Sequence, residues 1–294
     1  MRSRLSLQLT GLAVGVATAL TLTACGDSEN ASGKPNVVAS TNVWGSIAAT
    51  IAGPDAEVSS IITDPAADPH SHETSAVESA RISDADLVVY NGGGYDEFMT
   101  KAVEGRQQKT VEAFAARIDQ SDENEHVWYD VETVSAVADR IAAALGEIDA
   151  DRKQAYAERA ATFKAELSAI SAITGQIAAQ HPATPVLQTE PLAHYLLLDA
   201  GAVDRTPHEF QEAVEQETDP SPAAVAATRD LLTAKQVRAL IYNIQTEDKI
   251  TKDLRGLAGS NGTAVVEVTE TLPVNADYVQ WQTKNAEALA SALR

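Results

Sequence analysis

Short apolar runs alternate with amphipathic stretches along most of the chain. Val37 to Ser40, Glu57 to Ile62, Leu87 to Asn91 and Thr110 to Phe114 read as strands. Trp44 to Ala52, closed by Gly53-Pro54, then Thr74 to Ile82, Glu97 to Glu104 and Val131 to Leu145 read as helices. From Asp149 to Gln180 the pattern changes. Ala, Glu, Lys, Arg, Gln and Leu dominate, and apolar Tyr156, Phe163, Leu167, Ile170, Ile173 and Ile177 recur at spacings of three, four and seven. One long helix is predicted there, roughly 48 Å at 1.5 Å per residue. Alternation then resumes, with strands at Pro185 to Gln188, Val237 to Tyr242 and Thr263 to Val268. Helices are expected at Pro191 to Ala200, Ser221 to Lys235, Glu247 to Ala258 and Asn275 to Leu293. The acidic segment Asp204 to Pro220 has neither period, and no element is assigned to it.

Strands alternating with helices predict parallel βα units. The expected fold class is α/β: two lobes, each a mainly parallel sheet flanked by helices, at residues 35–148 and 181–294, joined by one long central helix at 149–180. No Gly/Ser linker separates the halves, so the helix itself is the natural connection.

The N-terminus changes the picture from a cytoplasmic to an exported chain. Arg2 and Arg4 precede a mostly apolar stretch, Leu5 to Leu22, and then Leu22-Thr23-Ala24-Cys25. This reads as a signal peptide over residues 1–24, with cleavage before the chain's single cysteine. Ser6, Gln8, Thr10, Gly11 and Gly15 interrupt the apolar stretch and argue against a permanent span. Cys25 has no internal disulfide partner and is the expected lipidation site, with residues 25–34 as a flexible tether. Acyl chains would hold the mature protein on the extracytoplasmic face of the cell membrane, each buried methylene adding roughly 0.8 kcal/mol. Removing residues 1–24 leaves 20 basic against 42 acidic side chains and a net charge of −22. Nucleic acid is thereby a poor partner. The charge concentrates cations without choosing among them.

Candidate chemistry lies beyond the carboxyl ends of the strands, where ligands sit in open parallel sheets. Asp68-Pro69-His70-Ser71-His72-Glu73 follows the strand Glu57 to Ile62, and its proline stiffens the backbone just ahead of His70. An ordinary polar turn with exposed histidines is the plain alternative. His126 stands in Asn124-Glu125-His126-Val127-Trp128, before a helix. Glu190 follows Pro185 to Gln188, and Glu270 follows Thr263 to Val268. Two imidazoles thus come from one half and two carboxylates from the other. Singly, His126 could be a surface residue, and the two glutamates could be carboxylates favoured at helix N-termini. The turn Asn91-Gly92-Gly93-Gly94-Tyr95 lacks Gly-Lys-Ser/Thr and GxGxxG, so it is no phosphate loop.

With these residues, the chain from about Val37 onward resembles the solute-binding lipoproteins of bacterial zinc and manganese ABC transporters, the cluster 9, TroA-like family. The resemblance is carried by Asp68-Pro69-His70 with Glu73, Ala85 to Gly92 (Ala-Asp-Leu-Val-Val-Tyr-Asn-Gly), Asn124-x-His126-x-Trp128, the long central helix and the two later acidic positions. It implies His70, His126, Glu190 and Glu270 as metal ligands, with Mn2+ or Zn2+ as transported cargo and no catalytic cofactor. A carboxylate at Glu190 matches the manganese-binding type. Glu270 departs from the usual aspartate by one methylene. The histidine-rich loop of many zinc members is missing, and the acidic run Asp119 to Glu125 stands near its place. His72 is expected in the pocket wall, and His194, four residues after Glu190, on the same helix face as a substitute ligand. His181 and His208 read as surface residues.

The function so implied is capture of a divalent metal between two lobes and delivery to an ABC permease. The chain has no Walker motif, so the driving ATPase would be a separate protein. A monomer that is not an enzyme is expected. The rivals are a metal-dependent hydrolase using the same ligands, for which no extra base or nucleophile stands out, and a lipoprotein that binds a non-metal solute or acts as an adhesin. Two imidazoles and two carboxylates satisfy Zn2+ in a tetrahedron. Oxygen-rich ligation suits Mn2+, while the Irving–Williams order favours Zn2+.

Overall fold

Strands buried on both faces need apolar residues at odd and even positions alike, and this chain supplies them. In β1 (Asn36–Thr41), Val37 and Ala39 face the main core, while Val38 faces a smaller outer one. Leu87 and Val89 of β3 (Leu87–Tyr90) point inward, and Val88 and Tyr90 outward. With β2 (Glu57–Ile62) and β4 (Lys109–Glu112) they form a four-stranded parallel sheet in the order β2-β1-β3-β4. A computed structural model shows this arrangement; it describes residues 33–294 except residue 217. The expected signal peptide, Cys25 and most of the tether lie outside the described residues.

The second sheet repeats the first. β5 (Pro185–Gln188), β6 (Val203–Asp204), β7 (Ala239–Asn243) and β8 (Ala264–Val268) pair in parallel in the order β6-β5-β7-β8, the same topology counted from β5. Around the sheets lie α1 (Asn42–Ala52), α2 (Ala76–Ser83), α3 (Glu97–Val103), α4 (Val131–Ile148), the central α5 (Lys153–Gln180), α6 (His194–Asp199), α7 (His208–Glu215), α8 (Pro222–Thr233), α9 (Lys249–Asn261) and α10 (Tyr278–Leu293). The two-lobed α/β fold read from the sequence is the one observed.

α5 runs 28 residues, about 42 Å. Tyr156, Ala160, Phe163, Leu167, Ile170, Thr174 and Ile177 are buried along it at alternating spacings of four and three. This stripe packs against α4 and α1 of the first lobe and α6 and α10 of the second. One continuous core therefore runs through both lobes. At the start of the stripe, the Arg159 guanidinium donates to the carbonyls of Ile51 (2.6 Å) and Ala52 (2.8 Å) and to Asp55 (2.9 Å). It thereby closes the carboxyl end of α1, where last-turn carbonyls lack intrahelical donors.

Two expectations are corrected. The unassigned segment 204–220 contains the end of β6 and all of α7, a short helix after Pro207 with only Phe210 and Val214 buried. Glu190 and His194 do not share a helix face: Glu190 is extended (φ −151°, ψ 165°), a 3-10 turn at Pro191–Ala193 intervenes, and His194 opens α6.

Candidate metal centre

The site is built from loops that leave the carboxyl ends of the strands where the lobes face each other. After β2, Asp68 accepts a hydrogen bond from the His70 amide (2.9 Å), an Asx turn that with Pro69 sets the loop's course. The His70 ring packs edge-on against Tyr95, centroids 4.8 Å apart. Tyr95 arrives by the three-glycine turn after β3. Gly92, Gly93 and Gly94 all have positive φ, and a Cβ on Gly93 would stand 2.5 Å from the Phe114 ring, so no other residue type suits that position. Buried Asp96 holds this turn by accepting from the Asn91 and Gly92 amides at 2.7 Å each.

Asn91, the residue after β3, donates to the Glu125 carbonyl at 2.8 Å and so carries the β3 end to the next loop. There His126 is almost fully buried, its ring 5.2 Å from that of Trp128. Its tautomer follows from its neighbour. Asn124 Oδ1 accepts from the His126 amide (3.0 Å), while Asn124 Nδ2 donates to the Pro191 carbonyl (3.0 Å), which fixes which end of the amide is oxygen. The contact from His126 Nδ1 to that oxygen (3.2 Å) must then be an N–H donation. Nε2 is left with its lone pair aimed into the site, the orientation a metal requires of imidazole. Burial, reinforced by His70 and His194, holds the ring neutral well below its ordinary range.

From the second lobe, Glu270 is buried beyond β8. It accepts from Asn243 Nδ2 (2.9 Å) and from the Tyr95 hydroxyl of the opposite lobe (3.3 Å). Glu190 is also buried and accepts from Thr246 at 2.7 Å. Asp68, His70, Glu125, Glu190, Glu215 and Glu270 line one cavity of about 410 Å³.

Within it, donor atoms of His70, Glu125, His126 and Glu215 lie within 4.8 Å of one another, as do those of Asp68, His70 and Glu270. His70 Nδ1 is 3.5 Å from Glu125 Oε1, and His126 Nε2 is 3.4 Å from Glu215 Oε1. Of the four residues selected from sequence, His70 stands with His126 in one group and with Glu270 in the other. Glu190 lines the cavity and belongs to neither group. Asp68, Glu125 and Glu215 are the additions.

Packing several carboxylates out of water without a cation raises their proton affinity. Burial first, then Asp96, pushes Glu125 to about 7. Burial first, then Glu190, Glu125 and Glu270, pushes Glu215 to about 9. Glu270 rises to about 8 through burial and the Glu190 charge, against the Asn243 hydrogen bond. The arrangement sets two imidazoles, one of them the neutral His126, among several buried carboxylates, which is the chemistry of a divalent cation site.

The other histidines stand apart. His72, expected in the pocket wall, is not among the residues lining the cavity; it packs on Phe98 (4.6 Å) and stands 3.5 Å from Glu78. His194 pairs with Asp122 across the lobes at 2.7 Å and lies outside both donor groups. His208 is exposed, as expected, and His181 follows the end of α5, half-buried.

The model of the family described as "Zinc-uptake complex component A periplasmic" matches residues 37–292. The chain belongs to this family. Among curated relatives, the manganese ABC transporter substrate-binding lipoprotein scaA of Streptococcus gordonii is 30% identical over 159 residues, 49% of this chain and 51% of that protein. The zinc-binding lipoprotein AdcA of Streptococcus pneumoniae is 23% identical over 297 residues, 92% of this chain and 58% of that protein. The chain spans about half the length of the curated relatives it matches first. The fold is shared with the periplasmic zinc-binding protein TroA of Treponema pallidum, with a TM-score of 0.74 at 18% identity, covering 89% of this chain and 99% of that one. The proteins so compared thus include ones named for zinc and for manganese.

Glu125 and Glu215 could have been found from an internal echo. Val89-Tyr90 ends β3 with Asn91 directly after it, and Ile241-Tyr242-Asn243 ends β7, at equivalent places in the two sheets. Each asparagine reaches the loop after the neighbouring strand: Asn91 to Glu125, Asn243 to Glu270. Aligning the halves on these tripeptides marks the loops after β2, β4, β6 and β8 as equivalents.

Proposed function

We propose that this protein captures one divalent first-row transition metal, Mn2+ or Zn2+, between its lobes and hands it to an ABC permease for import. His70, His126, Glu190 and Glu270 serve as ligands. The observation that carries the reading is the buried His126 with its Nε2 lone pair turned into a cavity of carboxylates, in a chain of the zinc-uptake component family. The protein acts as a monomer held to the extracytoplasmic face of the membrane through Cys25 and the tether at 25–34. Its lobes span 35–148 and 181–294. It is not an enzyme: its function is to bind and release.

Interlobe ties limit how the metal leaves. Asn42 and Leu272 exchange two hydrogen bonds (2.9 and 3.0 Å), and the Tyr278 hydroxyl donates to the Trp128 carbonyl (2.6 Å). These join the lobes along α5 and favour restrained motion of the cavity loops over wide hinge opening.

Elemental analysis of protein produced with both metals available, followed by competition between them, tests the function. One tightly held equivalent of Mn or Zn is expected; protein that holds neither, and takes up neither on titration, overturns the proposal. A further expectation concerns Asn124. Asn124→Ala removes the acceptor that fixes the His126 tautomer, and is expected to weaken metal binding by about 10- to 100-fold, as loss of a ligand's outer partner does. Isothermal titration of the folded variant measures it.

A further inference from the structure

We infer that Glu215 is an inner-sphere ligand of the transported metal and that it biases the site toward Mn2+ over Zn2+. The inference rests on the transport reading above and deepens it.

Position comes first. Counted by sheet topology, β6 is the second lobe's equivalent of β2, because each is the edge strand next to the first strand of its sheet. The segment after β2 delivers His70 to the cavity. The segment after β6, through α7, delivers Glu215 from the opposite side. The loop after β4 delivers Glu125 and His126, and the loop after β8 delivers Glu270. Glu190 follows the central strand β5 and is the one expected ligand outside this pattern.

Geometry comes second. Two donors bound about 2.1 Å from one ion stand roughly 3.0 Å apart at a right angle and roughly 3.4 Å apart at the tetrahedral angle. The 3.4 Å between His126 Nε2 and Glu215 Oε1 lies at the upper end of that range, close enough for both atoms to bind one ion. Both atoms are acceptors when the carboxylate is ionised, because the His126 proton is committed to Asn124 through Nδ1. Two lone pairs facing each other at this distance need a proton or a cation between them. Glu215 Oε2 is likewise buried without a hydrogen-bond partner among the described residues. The position between the two atoms is thus one that a proton fills in the metal-free protein and a cation fills in the loaded one, with the pair forming one edge of the coordination sphere.

Chemistry decides the selectivity. With Glu215 the donors become two imidazoles and three carboxylates, more than a four-coordinate tetrahedral Zn2+ site uses. Carboxylate-rich sets of higher coordination number suit Mn2+. Removing Glu215 should therefore cost Mn2+ more than Zn2+, whereas loss of a distant charge would cost both alike.

The experiment is titration of wild type, Glu215→Gln and His70→Ala with Mn2+ and Zn2+ separately at one pH, together with visible absorption of the Co2+-loaded proteins. Glu215→Gln is expected to weaken Mn2+ at least thirtyfold and Zn2+ less than fivefold. Its Co2+ bands should intensify as the ion moves from five or more ligands toward four. Equal losses for the two metals, or no loss with unchanged Co2+ bands, overturn the assignment of Glu215 while leaving the transport reading in place. Wild type that binds neither metal, or His70→Ala that binds both as wild type does, overturns the transport reading itself.

Discussion

His70→Ala is expected to purify folded and without stoichiometric metal. Its affinity for Mn2+ and Zn2+ should fall by more than about a hundredfold, because loss of a mere outer partner of a ligand already costs 10- to 100-fold. His70 is the informative position for two reasons. It belongs to both donor groups, so its loss removes the one side chain that joins the His126–Glu215 side of the cavity to the Asp68–Glu270 side. Its side chain is also 31% exposed, so truncation leaves little cavity. His126→Ala would be harder to interpret, since that ring is buried against Trp128 and truncating a packed side chain destabilises the fold along with the site. Elemental analysis beside a thermal melt measures the prediction. A His70→Ala protein that still carries one tightly held equivalent of metal removes His70 from the site.

What could be read from sequence was what obeys a period. Strands buried on both faces announce themselves as apolar runs, and β2 and β5 have the expected limits. The stripe of α5 is long enough to outweigh local irregularity. Ends were less legible, because caps are local: α10 starts at Tyr278, three residues later than its apolar pattern suggests, where Asp277 and Gln280 close a capping box. α7 was missed for a related reason. Only Phe210 and Val214 mark its buried side, and two positions cannot establish a period. Glu215 lies at the end of that helix, so its place in the cavity went unseen with it. Glu125 was visible only as part of an acidic run beside His126. His72 shows the opposite failure, since two residues beyond His70 the loop has turned and the ring packs against Phe98 instead. Neighbours in sequence share a loop without sharing a direction.

Metal-free protein is expected to lose stability as pH rises from 7 to 9, and to bind metal more tightly over the same range. Glu215 and Glu270 have folded values near 9 and near 8 against 4.5 for an ordinary glutamate. A carboxyl whose folded pKa is raised contributes stability that is fully present below 4.5 and is lost as pH climbs through the folded value. Above pH 7 the unfolded chain has already released these protons while the folded one still holds them, so each contributes a downward slope of as much as about 1.4 kcal/mol per pH unit. His126 acts in the opposite sense but elsewhere: its folded pKa is depressed, so the stability it costs appears only below the ordinary histidine value of 6.5. The window from 7 to 9 thus reports on the carboxylates alone. Binding a cation requires the same protons to leave, so each proton displaced raises apparent affinity up to about tenfold per pH unit until the carboxyl has titrated. Proton competition with the metal is therefore expected above pH 7, because the buried His126 imidazole is already neutral at 6.5 and the carboxylates are not yet ionised. Thermal melts in chelator at pH 7, 8 and 9, beside calorimetric titrations in buffers of different ionisation enthalpy, measure both halves. A metal-free midpoint that is flat or rising over that range, or binding at pH 7 that releases no proton, would show that the cavity carboxylates are already ionised without the metal.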